Sequence, residues 1–196
     1  MNEEFLERWL EEVLGTPGLT GISDLEDARR VLLEDALRAA PLLRKSDGRV
    51  VDVGSGSGSP GIPLATELTG RRFTLLEAER RKCDFLRSTT ESLPNVEVVW
   101  GRAEDQPIEA FGIALAKALA KPPVAAELCL PLVRRGGIAI LWVGATAELE
   151  RVSSVAERLA ARLEDGPDGL LVLRKFGPTP PGFPRRAGMA KKRPLA

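Results

Sequence analysis

The sequence predicts an α/β protein built on a mostly parallel sheet, and three observations predict it. Short apolar runs alternate with helical stretches at the spacing of βαβ units. The first of these runs, Arg49-Val50-Val51-Asp52-Val53, passes directly into a glycine-rich turn. A tight Gly166-Pro167-Asp168-Gly169 loop precedes the last apolar run, which implies an antiparallel pair at one edge.

Each element has its own signal. Phe5, Leu6, Trp9, Leu10, Val13 and Leu14 recur at helical spacing and predict an opening amphipathic helix, broken by Gly15 to Gly21. Asp24 with Asp27 reads as a cap followed by a first-turn acid, so a second helix runs from there to about Leu43 and ends near Pro41. After a turn at Lys45 to Gly48 the period changes to that of the strand ending at Val53. A helix is predicted over Ile62 to Leu68, a strand over Phe73 to Leu76 and a helix over Glu79 to Leu93. Pro94-Asn95 turns into strand Val96 to Trp100. A fourth strand spans Ile113 to Ala116, and a helix spans Val124 to Val133. Gly136-Gly137 leads into strand Ile138 to Val143, followed by a helix over Ala147 to Leu163 and the last strand, Leu170 to Lys175. The expected organisation is an N-terminal helical segment (1–45), an α/β domain (46–176) and a basic tail (177–196) lying outside the packed core.

Composition removes whole classes of chemistry. A chain of 196 residues with 43% hydrophobic and 29% charged residues is ordinary for one globular domain. It contains no histidine, which excludes Ser-His and Cys-His nucleophile pairs and imidazole bases. Cys83 and Cys129 form no CxxC pair, so no metal site is expected and both thiols read as reduced. Met1 to Glu12 lacks an apolar signal core and the longest apolar runs are too short to cross a bilayer. A cytoplasmic monomer, not associated with membranes, is expected. Formal charge balances at 28 against 28, yet the stretch from Arg174 onward holds seven basic residues and no acid. A basic tail on an acidic body points to a polyanionic partner such as nucleic acid, with a solubilising, partly disordered tail as the alternative.

The glycine turn discriminates between cofactors. Ligands of open α/β sheets bind beyond the carboxyl ends of the strands, and here the first strand ends in Asp52 with Gly54, Ser55, Gly56 and Gly58 behind it. A dinucleotide fold wants G-x-G-x-x-G, whereas the third glycine here is Gly58 and Ser59 follows it. An acid-x-Gly-x-Gly-x-Gly pattern suits S-adenosylmethionine, which has no pyrophosphate to cradle. Glu77 ends the second strand about twenty residues on, where a carboxylate accepts the two ribose hydroxyls. Gly101-Arg102-Ala103-Glu104 follows the third strand, at the place for an adenine ring. The expected cofactor contacts are therefore Asp52, Gly54, Ser55, Gly56, Gly58, Glu77, Ala103 and Glu104, with Lys117 at the mouth of the fourth strand.

With these features placed, the chain resembles the glucose-inhibited division protein B family, bacterial enzymes that methylate N7 of a guanine in 16S ribosomal RNA. The resemblance runs from about Leu19 to Leu195. Its strongest matches are Asp52-Val53-Gly54-Ser55-Gly56-Ser57-Gly58-Ser59-Pro60-Gly61-Ile62-Pro63-Leu64-Ala65, Lys82 with Phe85-Leu86-Arg87, and Gly101-Arg102-Ala103-Glu104. The ending Phe183-Pro184-Arg185-Arg186-Ala187-Gly188 with Lys192-Arg193-Pro194-Leu195 is also family-like, and the Pro60-Gly61-Ile62-Pro63 run and this ending are far more specific than the glycines. It implies a Rossmann-like class I methyltransferase fold with a mostly parallel seven-stranded sheet after N-terminal helices. It also implies S-adenosylmethionine as cofactor and 16S ribosomal RNA or the small ribosomal subunit as partner. Four positions depart from the family pattern. Gly112 stands where an Asp is usual, Lys117 where an Arg is usual, Val143 where a Lys is usual, and Val31-Leu32 where an Arg-His pair is usual.

The implied reaction suits a chain without histidine, because guanine N7 carries an exposed lone pair at neutral pH. Catalysis then rests on alignment and exclusion of water. Lys117 is expected to position the guanine or a phosphate. Arg185, Arg186, Lys191, Lys192 and Arg193 are expected to contact phosphates, giving salt-sensitive binding. Two other readings stay open: methylation of another RNA or a small molecule, and a non-catalytic S-adenosylmethionine-binding protein.

Overall fold

The computed structural model describes residues 2–144 and 148–196. Its strands are β1 (Val50–Val53), β2 (Phe73–Glu77), β3 (Val96–Trp100), β4 (Phe111–Ala116), β5 (Val133–Trp142), β6 (Ala161–Glu164) and β7 (Leu170–Lys175). They form one seven-stranded sheet in the order β3-β2-β1-β4-β5-β7-β6. The first five strands pair in parallel, and β7 lies antiparallel to both β5 and β6. Chain order reverses between β1 and β4, which makes the crevice above their carboxyl ends the natural ligand site. Every residue of β1 and of β4 is buried, as befits central parallel strands covered on both faces.

The helices are α1 (Glu3–Gly15), α2 (Leu25–Ala28), α3 (Asp35–Leu37), α4 (Ala40–Arg44), α5 (Gly61–Glu67), α6 (Arg80–Thr90), α7 (Pro122–Cys129), α8 (Leu149–Arg158) and α9 (Met189–Lys192). Asn2 caps α1 by accepting the Phe5 N–H at 3.1 Å, and Phe5, Leu6, Trp9, Leu10 and Val13 are buried as their spacing predicts. Asp24 caps α2 through the Asp27 N–H at 3.0 Å. A π-helical turn at Arg29–Glu34 joins α2 to α3. Such turns recur at functional sites, and this one faces the ligand crevice. Pro41 does not end the helical stretch. It lies in the first turn of α4, where a missing N–H costs no hydrogen bond.

Three other expectations need correction. The predicted helix over Ala147 to Leu163 begins outside the described residues; among those described it spans Leu149–Arg158. Ala160 adopts φ 53°, and the chain then turns back as β6, pairing Ala161 with Lys175 and Leu163 with Leu173 at the sheet edge. The predicted helix over Val124 to Val133 ends at Cys129, because Pro131 in the Leu130–Leu132 turn cannot carry the helix on. Val133 then opens β5, which bulges at Arg134, Arg135 and Gly136 before the apolar run. The tail, expected outside the core, is packed onto it. Phe183, Leu195 and Ala196 lie against the cluster formed by β1, β4, β5, α7 and α8, and Ala190 is buried. Among the described residues no helix is long and apolar enough to cross a membrane.

Candidate functional site

The glycine turn occupies the crevice above β1. The N–H groups of Gly54 and Ser55 both donate to the Leu76 carbonyl of β2, at 2.7 and 3.1 Å. Gly54, Gly56 and Gly58 have φ of 73°, 56° and 103°, a region that only glycine enters without strain. The N-terminal elements hold the turn from outside. The Trp9 indole N–H donates to the Ser57 carbonyl at 2.9 Å in a fully buried position, and Ser59 Oγ donates to the Leu32 carbonyl at 2.7 Å.

Asp52 and Gly58 shape the turn from behind and do not line the crevice. Asp52 Oδ2 accepts the Gly61 N–H at 3.0 Å, so the carboxyl holds the start of α5, while the buried Oδ1 has no partner among the described residues. Burial pushes the Asp52 carboxyl up to about 7, and the nearby Glu77 charge adds to this. The Gly61 hydrogen bond, the neighbouring Ser55 hydroxyl and the Lys117 charge pull the other way.

The crevice is a cavity of about 560 Å³, within the range of cofactor pockets. Gly54, Ser55, Gly56, Glu77, Ala103, Glu104 and Lys117 all line it, so seven of the nine expected cofactor residues converge. Glu77 accepts the Gly56 N–H at 2.9 Å on one oxygen and the Glu79 N–H at 2.8 Å on the other, which fixes its carboxylate in the cavity wall. Each oxygen keeps a further lone pair for a ligand hydroxyl. Glu104 Oε1 accepts the Gly188 N–H from the tail at 2.9 Å.

Lys117 is not the exposed strand-end lysine that its position allowed. Its side chain is 11% exposed, its ammonium donates to the Val31 carbonyl at 2.6 Å, and Asp35 lies 3.3 Å away. The π turn thus supplies carbonyls to both Lys117 and Ser59. Val31 and Leu32 line the cavity beside Lys117 and give this side an apolar surface. The other two departures lie elsewhere. Val143 does not line the cavity, and Gly112 sits at the opposite end of β4 against the Asp47-Gly48 turn.

The tail's charge is partly spent within the protein. Arg174 pairs with Glu164 at 2.7 Å, and the buried Lys175 ammonium donates to the Leu130 carbonyl at 2.9 Å and to Thr179 Oγ1 at 2.8 Å. Arg185 makes a bidentate pair with Glu127, at 2.6 and 2.7 Å, and so is engaged internally rather than offered to phosphates. Arg186, Lys191, Lys192 and Arg193 remain exposed, and Lys191 lines the cavity.

Residue patterning alone missed further lining groups. Arg102 and Lys82 face the cavity, as do Leu19, Thr20 and Ile22 from the loop after α1. That loop carries no motif; only the packing of α1 on the glycine turn brings it there. Four cations (Lys82, Arg102, Lys117, Lys191) and two carboxylates (Glu77, Glu104) therefore border one cavity. Nearby, Trp100 is 55% exposed, with the Arg80 guanidinium 5.4 Å from its ring centroid.

Comparison with known proteins shows the family and the fold. The family model of rRNA small subunit methyltransferase G matches residues 3–164. The ribosomal RNA small subunit methyltransferase G of Rubrobacter xylanophilus is 40% identical over 207 residues, spanning 93% of this chain and 77% of that protein. The protein of the same name from Thermotoga petrophila is 34% identical over 209 residues, spanning 98% and 91%. Among solved structures, a SAM-dependent O-methyltransferase from Thermotoga maritima matches with TM-score 0.60 at 15% identity, over 84% of this chain and 73% of that one. A 16S rRNA N2 methyltransferase of T. thermophilus, solved with AdoMet and guanosine, matches with TM-score 0.53 at 18% identity, over 73% and 40%. The two structures share the fold: a class I S-adenosylmethionine-dependent methyltransferase sheet. With the glycine turn, the Glu77 wall and the docked tail in place, and with matches of this extent, the chain belongs to the rRNA small subunit methyltransferase G family.

Proposed function

We propose that this protein transfers a methyl group from S-adenosylmethionine to N7 of a guanine in 16S ribosomal RNA. The observation that carries the reading is the convergence of Gly54–Gly56, Glu77, Ala103 and Lys117 on one cavity at the switch point of the sheet. The residues fit the cofactor. The glycines present bare backbone, and Glu77 keeps acceptor capacity for ribose hydroxyls beside them. When bound, S-adenosylmethionine supplies a methyl group already activated by its sulfonium charge.

The chain's own part is alignment. Glu77 and the Gly54–Ser57 backbone orient the donor, and Ala103 with Glu104 borders its far end. Guanine N7 needs no deprotonation, so the absence of histidine is no obstacle. Lys117 stands at the acceptor side, where Asp35 and the Val31 carbonyl fix its ammonium, and Val31 and Leu32 offer an apolar face to the incoming base. Desolvation of this wall strengthens the lysine's interaction with the guanine or its phosphate. The reading extends to a monomer acting in the cytoplasm; light scattering should then give a single species of 21.2 kDa, and a larger species would refute the monomer.

The test is methyl transfer from labelled S-adenosylmethionine to small ribosomal subunits and to naked ribosomal RNA, both from a strain lacking the guanine-N7 methyl. Label on guanine N7 supports the proposal. A bound cofactor with no label in either substrate refutes it.

A further inference from the structure

The tail is the most basic part of the sequence, yet Arg185 faces inward. Arg185 gives Nε and Nη2 to the two oxygens of Glu127, and Nη2 also reaches the Arg193 carbonyl at 2.9 Å. Glu127 on α7 is 4% exposed, so its charge is out of water and depends on this partner. Past this point, the Gly188 N–H donates to Glu104, Ala190 is buried, and Gly188, Ala190 and Lys191 line the cavity beside Ala103 and Glu104. The chain end is tied down as well. Arg158 of α8 donates to the Leu195 carbonyl at 3.1 Å, and Arg151 donates to the Ala196 carbonyl.

We propose that residues 183–196 are a wall of the cofactor site: a strap, fastened by the Arg185–Glu127 pair, that closes the adenine end of the S-adenosylmethionine cavity. The inference rests on the reading that this cavity holds the cofactor with its adenine against Ala103 and Glu104. Glu104 is then a shared acceptor. The strap uses Oε1 and leaves Oε2 for the exocyclic amine of the ring. A carboxylate already fixed by the strap spares the ligand the cost of ordering it. The coupling is reciprocal: a ligand under Gly188 and Ala190 holds the strap down as firmly as the strap holds the ligand. One segment thus covers the cofactor and brings the exposed Lys191 to the cavity, with Arg186 and Lys192 exposed on the same segment. Arg185 is a positioning residue on this view, and a loss there reads out in cofactor affinity.

The experiment uses the full chain and S-adenosylmethionine itself. Titration calorimetry on R185A should show affinity weakened about tenfold or more, while R162A, an exposed arginine on β6, binds as wild type does. Trypsin provides a second measurement that needs no variant. In the wild-type chain, the cofactor should slow cleavage after Lys191 and Lys192. If R185A binds as tightly as wild type, or if cleavage there is the same with and without cofactor, the strap is overturned. A wild-type chain that binds no S-adenosylmethionine overturns the cofactor reading and the strap together.

Discussion

Replacing Gly112 with alanine should destabilise the fold and leave the cofactor cavity unchanged. Gly112 lies in β4 where the pairing with β5 slips between Phe111 and Ile113. A Cβ there would lie 1.9 Å from the Asp47 carbonyl oxygen and 2.9 Å from the Gly48 Cα. Carbon and oxygen approach to roughly 3.3 Å, so the Asp47-Gly48 turn would have to retreat by about 1.4 Å. The strand has no room to slide the other way, since the Gly112 carbonyl is packed on Gly137 of β5. Overpacking typically costs about 1–3 kcal/mol, and backbone on both sides puts this case at the upper end, about 3 kcal/mol. For a chain of this size that lowers Tm by about 6–12 °C. The site should not notice, because Ala116 at the mouth of β4 is four residues away, about 13 Å along the strand. The assay is thermal and urea denaturation beside calorimetric titration with S-adenosylmethionine. A variant that melts within about 2 °C of wild type would refute the steric reasoning. Unchanged melting with lost cofactor binding would place Gly112 in the site after all. The family-like change G112D should be worse than alanine, because it adds a carboxylate to the same closed space.

Trp9→Phe leaves the buried Ser57 carbonyl without its donor and loses part of a buried ring. It should cost about 2–4 kcal/mol and weaken cofactor affinity, and normal stability with normal affinity would detach α1 from the site. Lys117→Ala should abolish or strongly reduce methyl transfer while the cofactor still binds, measured by single-turnover transfer and calorimetry; unchanged turnover removes Lys117 from the acceptor side. The raised Asp52 carboxyl holds its proton more tightly in the folded chain than in the unfolded one. Its contribution to stability should therefore be full below about pH 4 and be lost as pH rises through about 7. Asp52→Asn should flatten that dependence in urea midpoints taken across the window, and an undiminished slope would assign it to another group.

Much of the fold was legible because burial on both faces writes continuous apolar runs into the central strands, and β1, β2 and β4 stand where those runs are. β6 was not legible. Ala161–Glu164 is an edge strand whose pattern continues that of α8, and only pairing with β7 separates the two. The end of α7 was misplaced because Leu130, Leu132 and Val133 are as apolar as the helix before them. The site was legible where one strand end meets one turn, at Gly54–Gly56, Glu77 and Ala103. Asp52 and Gly58 belong to the same motif, but their side of the turn faces α5 and Ile62 rather than the cavity. Gly112 looked like a lost polar group, although its reason lies in the backbone of a distant turn.

The sequence by itself determined the α/β class, the cofactor turn and the absence of imidazole chemistry, since all three follow from local patterning and composition. Only the tertiary structure decided which tail cations are spent and which are offered, because Arg185 and Glu127 are 58 residues apart and meet through packing alone. It also decided that Lys117 faces Asp35 and the π turn, 86 residues before it in the case of Val31. Charge in a sequence is a count. Its availability depends on what burial places within hydrogen-bonding reach.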